Sequence, residues 1–115
     1  MAVISVSSKN RGGWLTFEWL AATEADTFQD IYLSHNVSDI FIEAEGTWGS
    51  ATLTLNGWVV TEAAEMAAVD PAGTAISFTD DACLPVRDAF PHFRPVHSGG
   101  TSESVDVRMY AKVVL

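Results

Sequence analysis

Three histidines and one cysteine are the residues of this sequence best suited to nucleophilic or metal chemistry: His35, His92, His97 and Cys83. None of them lies in a nucleophile elbow, an H-E-x-x-H metal motif or a phosphate-binding loop. His92 and His97 are five positions apart, which in a strand places their side chains on opposite faces and argues against a shared metal ion. The sequence therefore predicts no enzymatic activity, no catalytic residue, no metal site and no cofactor.

These residues also have simpler structural interpretations. A single cysteine cannot form an internal disulfide, which fits a protein made in a reducing compartment, and we expect Cys83 to be a small buried hydrophobe. His92 and His97 are predicted to be surface or edge residues.

Acidic residues form two further candidate clusters. Asp80 and Asp81, with Asp70 nearby, could suggest calcium, but adjacent acids in turns usually cap helices or face solvent, and we expect Asp80 or Asp81 to cap a short helical turn. Glu43 and Glu45 project from one flat strand face instead of flanking a cleft, so we expect them to be solvated.

Bulk composition restricts the class of protein. The 115 residues predict one domain over 1–115, with 1–13 as a possible N-terminal arm. No apolar run approaches the roughly 20 residues of a membrane-spanning helix. A net charge of −9 with only six Lys and Arg residues argues against nucleic acid as a partner. No membrane partner and no small-molecule substrate are predicted.

Most of the chain alternates apolar and polar residues with a period of two, which is typical of half-buried strands. The residues on the apolar side of the clearest segments are Leu15, Phe17 and Trp19; Ile40, Ile42 and Ala44; Ala51, Leu53 and Leu55; and Val105, Val107, Met109, Ala111 and Val113. We expect the last segment to be the longest strand. About seven or eight strands separated by turn signals predict an all-β domain, an antiparallel two-sheet β-sandwich or jelly roll.

Two turns predict hairpins. Gly49-Ser50 fits a two-residue turn, which would pair the flanking strands so that Phe41 faces Trp58, and Gly46 would leave room for a buried Trp48 ring. A type I turn with a left-handed glycine is expected at 70–74, placing Ala68 opposite Ile76 and Met66 opposite Phe78. Pro95 predicts edge or bulge character for its strand.

The stretches EGTWGSATLTLNG, DPAGTAISFT and VRDAFPHFRPVHSGG, together with the β-rich C-terminus, resemble a family of small structural proteins of tailed bacteriophages. The resemblance covers roughly residues 38–110. The sequence departs from the pattern after Gly57, where WVVTEAAE replaces a polar turn, so the contacts of that turn do not carry over. The matching motifs are structural, and no catalytic residue carries over.

The resemblance implies a virion component, most plausibly a head decoration or cement protein made in the bacterial host cytoplasm. Such a protein sits on the outer capsid surface and braces neighbouring subunits of the major capsid protein, and trimers or dimers would match the lattice axes. The candidate contact residues are Phe41, Trp58, Trp14, Lys9 and Arg11. Lys9 and Arg11 are included because SSKNRGG is a locally basic stretch that could reach an acidic neighbour.

Two alternatives remain open. The chain could be a neck or tail connector, or a ring associated with the tail tube. It could instead be a carbohydrate-binding β-sandwich module, because four tryptophans in a short chain could stack on sugar rings. Trp14 and Trp19 fall on opposite faces of their strand, however, so the sequence shows no planar row of exposed rings.

Overall fold

Two antiparallel sheets face each other and enclose one apolar core, which confirms the all-β sandwich or jelly-roll class predicted from the alternation. The computed structural model describes residues 3–4, 7–23, 26–33 and 36–114, with only the backbone for Ser7, Ser8 and Arg11. The strands of this part of the chain are β1 Val3–Ile4, β2 Ser7–Arg11, β3 Trp14–Ala22, β4 Thr27–Phe28, β5 Ile31–Tyr32, β6 Val37–Thr47, β7 Ala51–Trp58, β8 Met66–Ala67, β9 Ser77–Phe78, β10 Ala82–Val86, β11 His92–Gly99 and β12 Ser104–Val113. A 3-10 helix, Glu62–Ala64, separates β7 from β8.

The strand order of the first sheet is β10-β6-β12-β3-β2, and that of the second is β5-β11-β7-β8, with β9 also paired to β7. A separate parallel pair joins β1 to β4, so the segment predicted as a possible arm carries β1 and β2. At 11 residues, β6 exceeds the 10 of β12, so the prediction that the last strand is the longest is wrong by one residue.

The inner faces of the two sheets carry the apolar residues that the alternation identified. Trp19 and Ile42 from the first sheet, and Leu55 and Phe93 from the second, have no exposed surface. Burial of each such side chain contributes about 2 kcal/mol to stability. These contacts hold the sandwich together and leave the opposite face of each sheet for polar and aromatic side chains.

The turn at Gly49-Ser50 forms as predicted, but the strands on either side of it do not pair. The amide of Ala51 donates to the carbonyl of Trp48 at 2.8 Å, and both turn residues have positive φ. β6 then pairs with β10 and β12, whereas β7 pairs with β11, β8 and β9. The predicted register, including Phe41 opposite Trp58, is therefore wrong, because the apolar sides of β6 and β7 meet across the sandwich and not side by side.

Trp48 is buried as expected, but Gly46 has a different role from the one predicted. A Cβ on Gly46 would lie 2.2 Å from the carbonyl oxygen of Ser104. Gly46 therefore permits close approach of β12 and is not needed as room for the Trp48 ring. Asp81 accepts hydrogen bonds from the Gly46 amide at 3.0 Å and from the Trp48 indole at 2.8 Å.

The second predicted turn is confirmed in its register near the loop. The amide of Asp70 donates to the carbonyl of Thr74, and Val69 pairs with Ala75 in the register that places Ala68 opposite Ile76. Further along, Met66 pairs with Gly57 and Phe78 with Leu53, so these two residues bind β7 instead of each other. The predicted pairing of Met66 with Phe78 is wrong.

The prediction for the segment after Asp81 is wrong, and the prediction for the strand around Pro95 is correct. Residues 82–86 form β10 on the edge of the first sheet, so the predicted helical turn is wrong. β11 pairs with β7 along its length but with β5 only at its first two residues. Pro95 therefore lies on an edge, as expected from its missing amide proton.

In the described ranges no helix is long and apolar enough to span a membrane.

Candidate functional site

The outer face of the first sheet carries three half-buried aromatic side chains, from Trp14, Phe41 and Tyr110. Tyr110 on β12 is the cross-strand partner of both Phe41 on β6 and Thr16 on β3. The Trp14 and Phe41 rings lie 6.3 Å apart between centroids, tilted by 42°. We call Trp14, Phe41 and Tyr110 the aromatic row. Strand alternation places these rings on one face although they come from three different strands.

Arg108 lies at the centre of a group of charged side chains on this face. Its Nε donates to Glu18 at 2.9 Å and its Nη1 donates to Glu45 at 2.8 Å, with Glu43 3.8 Å away. The hydrogen bonds to Glu18 and Glu45 raise the pKa of Arg108 above its usual value. Lys9 lies 3.7 Å from the other oxygen of Glu18. Glu43 and Glu45 are thus not simply solvated, as the sequence predicted, but hold the guanidinium in a fixed position.

A shallow cavity of about 360 Å³ opens on this face beside Tyr110 of the aromatic row and Arg108. Lys9, Thr16, Glu18, Arg108 and Tyr110 line it. The Tyr110 hydroxyl donates to Glu43 at 3.2 Å. Partial desolvation, followed by the charge of Glu43, raises the pKa of the Tyr110 phenol. Tyr110 therefore stays a neutral donor and acceptor at physiological pH.

Three of the five predicted contact residues lie on this face. Trp14 and Phe41 belong to the aromatic row, and Lys9 lines the cavity. The backbone of Arg11 pairs with that of Trp14, but its side chain lies outside the described part of the structure. Trp58, the fifth, is on the other sheet. The sequence did not identify Arg108, Glu18 and Tyr110 as site residues, although its period-two pattern places Arg108 and Tyr110 on the polar side of β12.

Trp58 is buried, so it does not present a ring to a partner. Its ring stacks on His92 with centroids 5.3 Å apart and 3° between planes, and the Arg94 guanidinium lies 5.4 Å from the ring centroid. Arg94 in turn pairs with Glu62 and Glu65. The His92 ring also contacts Tyr32 at 5.0 Å. His92 is half-buried and lies between β5 and β7, so the predicted edge position is wrong at this residue. Its Nδ1 lies 3.9 Å from an oxygen of Asp30.

His97 points the other way, and its side chain is only 6% exposed, which corrects the prediction that it is a surface residue. Its Nε2 lies 2.5 Å from the carbonyl oxygen of Asp26, and its Nδ1 lies 3.3 Å from Oε2 of Glu103. A carbonyl only accepts, so Nε2 carries the hydrogen. The Glu103 side chain has no exposed surface, and its Oε1 has no partner among the described residues. His35, the third histidine, lies outside those residues.

A larger groove, of about 540 Å³, opens beside His97. Asp26, Asp30, Glu65 and Arg94 supply its charged lining. Within residues 3–4, 7–23, 26–33 and 36–114, no three His, Cys, Asp or Glu side chains are placed to hold one metal ion.

Cys83 is exposed, not buried as predicted, because β10 is an edge strand and Cys83 lies on its outer side opposite Glu43. Partial desolvation of the thiol, and then the Glu43 charge, raise the pKa of Cys83.

We expect Cys83 in the native protein to react with a thiol reagent such as Ellman's reagent, at a rate that increases with pH as the thiolate forms. Glu43→Gln removes one cause of the raised pKa and should speed the reaction, by less than about tenfold because desolvation remains. Glu45→Gln is the matched control and should leave the rate unchanged. A native protein that reacts only in denaturant would contradict the edge position.

No protein-family model and no curated protein matches the sequence. Among solved structures, a cupin domain from Bordetella pertussis is similar, with 14% identity and a TM-score of 0.51 over 98% of this chain and 99% of that one. A sugar phosphate isomerase from a cupin superfamily, from Silicibacter pomeroyi, has 11% identity and a TM-score of 0.34 over 94% of this chain and 60% of that one. FeII HppE has 9% identity and a TM-score of 0.44 over 91% of this chain and 49% of that one, so the chain spans about half its length. The likeness to the Bordetella domain shows the fold alone, a cupin-like jelly roll.

This fold corrects one conclusion drawn from the sequence. The missing catalytic motifs predicted that the chain is not an enzyme. That prediction is wrong, because missing motifs do not exclude catalysis in a chain whose fold is similar to that of a cupin domain. A fold shared by many functions cannot exclude catalysis, and function has to be argued from the sites.

Proposed function

We propose that this chain is a structural protein of a tailed-bacteriophage virion, a head decoration protein that binds the outer lattice of the major capsid protein. The sequence motifs support this proposal, and each corresponds to a turn or a connection between strands of the sandwich. The first contains the Gly49-Ser50 turn that connects the two sheets. The second contains the 70–74 turn, and the third leads from β10 into β11. The resemblance therefore concerns the parts of the chain that build this fold.

The observation that carries the proposal is a group of exposed apolar side chains at one end of the second sheet, which we call the apolar tip. It comprises Tyr32, Val59, Val60 and Met66, and Val60 is 85% exposed. Tyr32 and Trp58 are both cross-strand partners of His92, Val59 and Val60 follow Trp58, and Met66 pairs with Gly57. Exposed apolar groups of this kind mark protein interaction sites.

Two members of the apolar tip, Val59 and Val60, lie in the segment where the sequence departs from the family pattern, the WVVTEAAE stretch after Gly57. A polar turn in related proteins would offer hydrogen bonds, whereas Val59 and Val60 offer apolar area. We therefore assign the tip to a contact specific to this chain. The stacked Trp58, His92 and Arg94 side chains beneath it give it a rigid base.

Binding to an assembled lattice, but not to free subunits, stabilises the lattice by mass action. Many copies with modest individual affinity add up when the protein is oligomeric. A dimer or trimer at a lattice axis would supply this multivalency. The net charge of −9 keeps unbound copies apart in solution.

Quantitative mass spectrometry of purified particles tests the proposal, using the phage whose genome carries this coding sequence. Wild-type chain should be present at hundreds of copies per particle, as expected for a lattice protein. Val60→Asp should reduce occupancy at least about tenfold, because it places a charge in an apolar interface. Leu20→Asp, at another exposed apolar position, on β3, is the control and should leave occupancy unchanged.

Three other outcomes of this experiment would contradict the head role or the apolar-tip contact. About six or twelve copies per particle would replace the head role with a neck or tail ring. Chain found only in the soluble lysate would overturn the proposal. Equal losses from Val60→Asp and Leu20→Asp would remove the apolar tip as the contact.

A further inference from the structure

We infer that the outer face of the first sheet is a binding site for a neutral saccharide, centred on the 360 Å³ cavity that Tyr110 of the aromatic row lines. This site lies on the opposite sheet from the apolar tip, so the inference does not depend on capsid binding.

The aromatic row supplies the apolar surface that a sugar ring requires. A pyranose has one face rich in C–H groups, which packs against the flat face of an aromatic ring. Trp14, Phe41 and Tyr110 are half-buried, so their rings are held by the sheet and still reach solvent. Rings fixed in this way lose little conformational entropy on binding, which favours affinity.

The cavity also supplies donors and acceptors in a mixed arrangement. The Thr16 hydroxyl makes no hydrogen bond to another described residue and can both donate and accept. The Lys9 ammonium has three donors, and its contact to Glu18 at 3.7 Å is too long for a hydrogen bond. The Tyr110 hydroxyl donates to Glu43 and retains its acceptor capacity. Sugar hydroxyls, which donate and accept equally, match such a set.

The local charge argues for a neutral ligand. Two cations, Lys9 and Arg108, stand among three carboxylates, Glu18, Glu43 and Glu45. These five charges sum to −1, whereas the three that line the cavity, Lys9, Arg108 and Glu18, sum to +1, so neither sign of ligand charge is strongly favoured. Arg108 is held by Glu18 and Glu45, so its guanidinium plane is fixed before a ligand arrives. Preorganised polar groups beside an apolar surface are the usual composition of a small-ligand site.

Titration of the isotope-labelled protein with neutral tetrasaccharides of glucose, mannose, galactose and N-acetylglucosamine tests the inference. At least one should cause saturable amide shifts at Thr16, Phe41 and Tyr110. Trp14→Ala and Tyr110→Ala should each weaken the affinity at least about tenfold by removing a stacking ring. Tyr32→Ala removes an exposed ring from the other sheet and should leave the affinity unchanged.

Milder variants keep the test meaningful if an alanine variant unfolds. Tyr110→Phe and Thr16→Val retain the shape of the side chains and should each weaken binding by a smaller factor than the loss of a ring. The inference is overturned if no neutral tetrasaccharide shifts these amides. It is equally overturned if only anionic probes such as heparin fragments bind, or if the shifts map to the second sheet.

Discussion

Gly46→Ala should destabilise the protein by at least about 3 kcal/mol, because the added methyl group has no room and the backbone conformation is strained for any other residue. The new Cβ would lie 2.2 Å from the Ser104 carbonyl oxygen and 3.0 Å from the Val105 Cα. Both atoms belong to the backbone of β12, so no side chain can rotate away. The φ of +144° is also accessible essentially only to glycine.

Urea denaturation of Gly46→Ala beside Gly13→Ala measures this effect. Gly13 also has a positive φ, of +84°, but a Cβ there has no atom within 4 Å. Its replacement should therefore cost only about 1 kcal/mol of conformational strain. Equal stabilities of the two variants would show that β6 and β12 do not approach as closely at Gly46 as the structure indicates.

Glu103→Ala should destabilise the protein by about 3 kcal/mol, because it removes one partner of a buried polar pair and leaves His97 facing an apolar gap. The pair connects the loop before β12 to β11, and the second ring nitrogen of His97 extends the connection to Asp26. The His97 ring also packs edge-on against Phe28, with centroids 5.3 Å apart. Removal of Glu103 therefore weakens three segments at once.

Replacement of both partners separates the loss of the polar pair from the loss of packing. His97→Phe combined with Glu103→Leu should be less destabilised than Glu103→Ala alone, because neither His97 nor Glu103 then leaves the other as an unpaired buried polar group. Glu62→Ala is the control for an exposed ion pair and should cost less than about 1 kcal/mol. If Glu103→Ala matched this control, Glu103 would not be the buried carboxylate that the structure shows.

The two outer faces of the sandwich suit different tasks. The apolar tip offers apolar area of the kind that protein partners cover, whereas the first sheet offers fixed rings beside charged groups of both signs. A decoration protein that held the lattice at one end of the second sheet would leave the first sheet free. The two proposals can thus both hold, and Val60→Asp and Tyr110→Ala test them independently.

Alternation along the chain was enough to identify the all-β class and the inward side of each long strand. Trp19, Ile42 and Leu55 are buried where period two placed them, because every strand of a sandwich must turn one side to the core. The turns at 48–51 and 70–74 were also predictable, because glycine, proline and aspartate determine backbone angles locally. These properties depend on neighbours in the sequence.

Only the tertiary structure decided which strands pair and which side chains meet. β6 and β7 share a turn yet belong to different sheets. The alternation could not show this, because it buries the apolar side of each strand whether the strands pair or face each other across the sandwich. Trp14, Phe41, Tyr110 and Lys9 come together through pairing between residues that are distant in the chain. The burial of His97 against Glu103 has the same origin. Local spacing carries no information on such contacts, because they depend on how the whole chain fills one core.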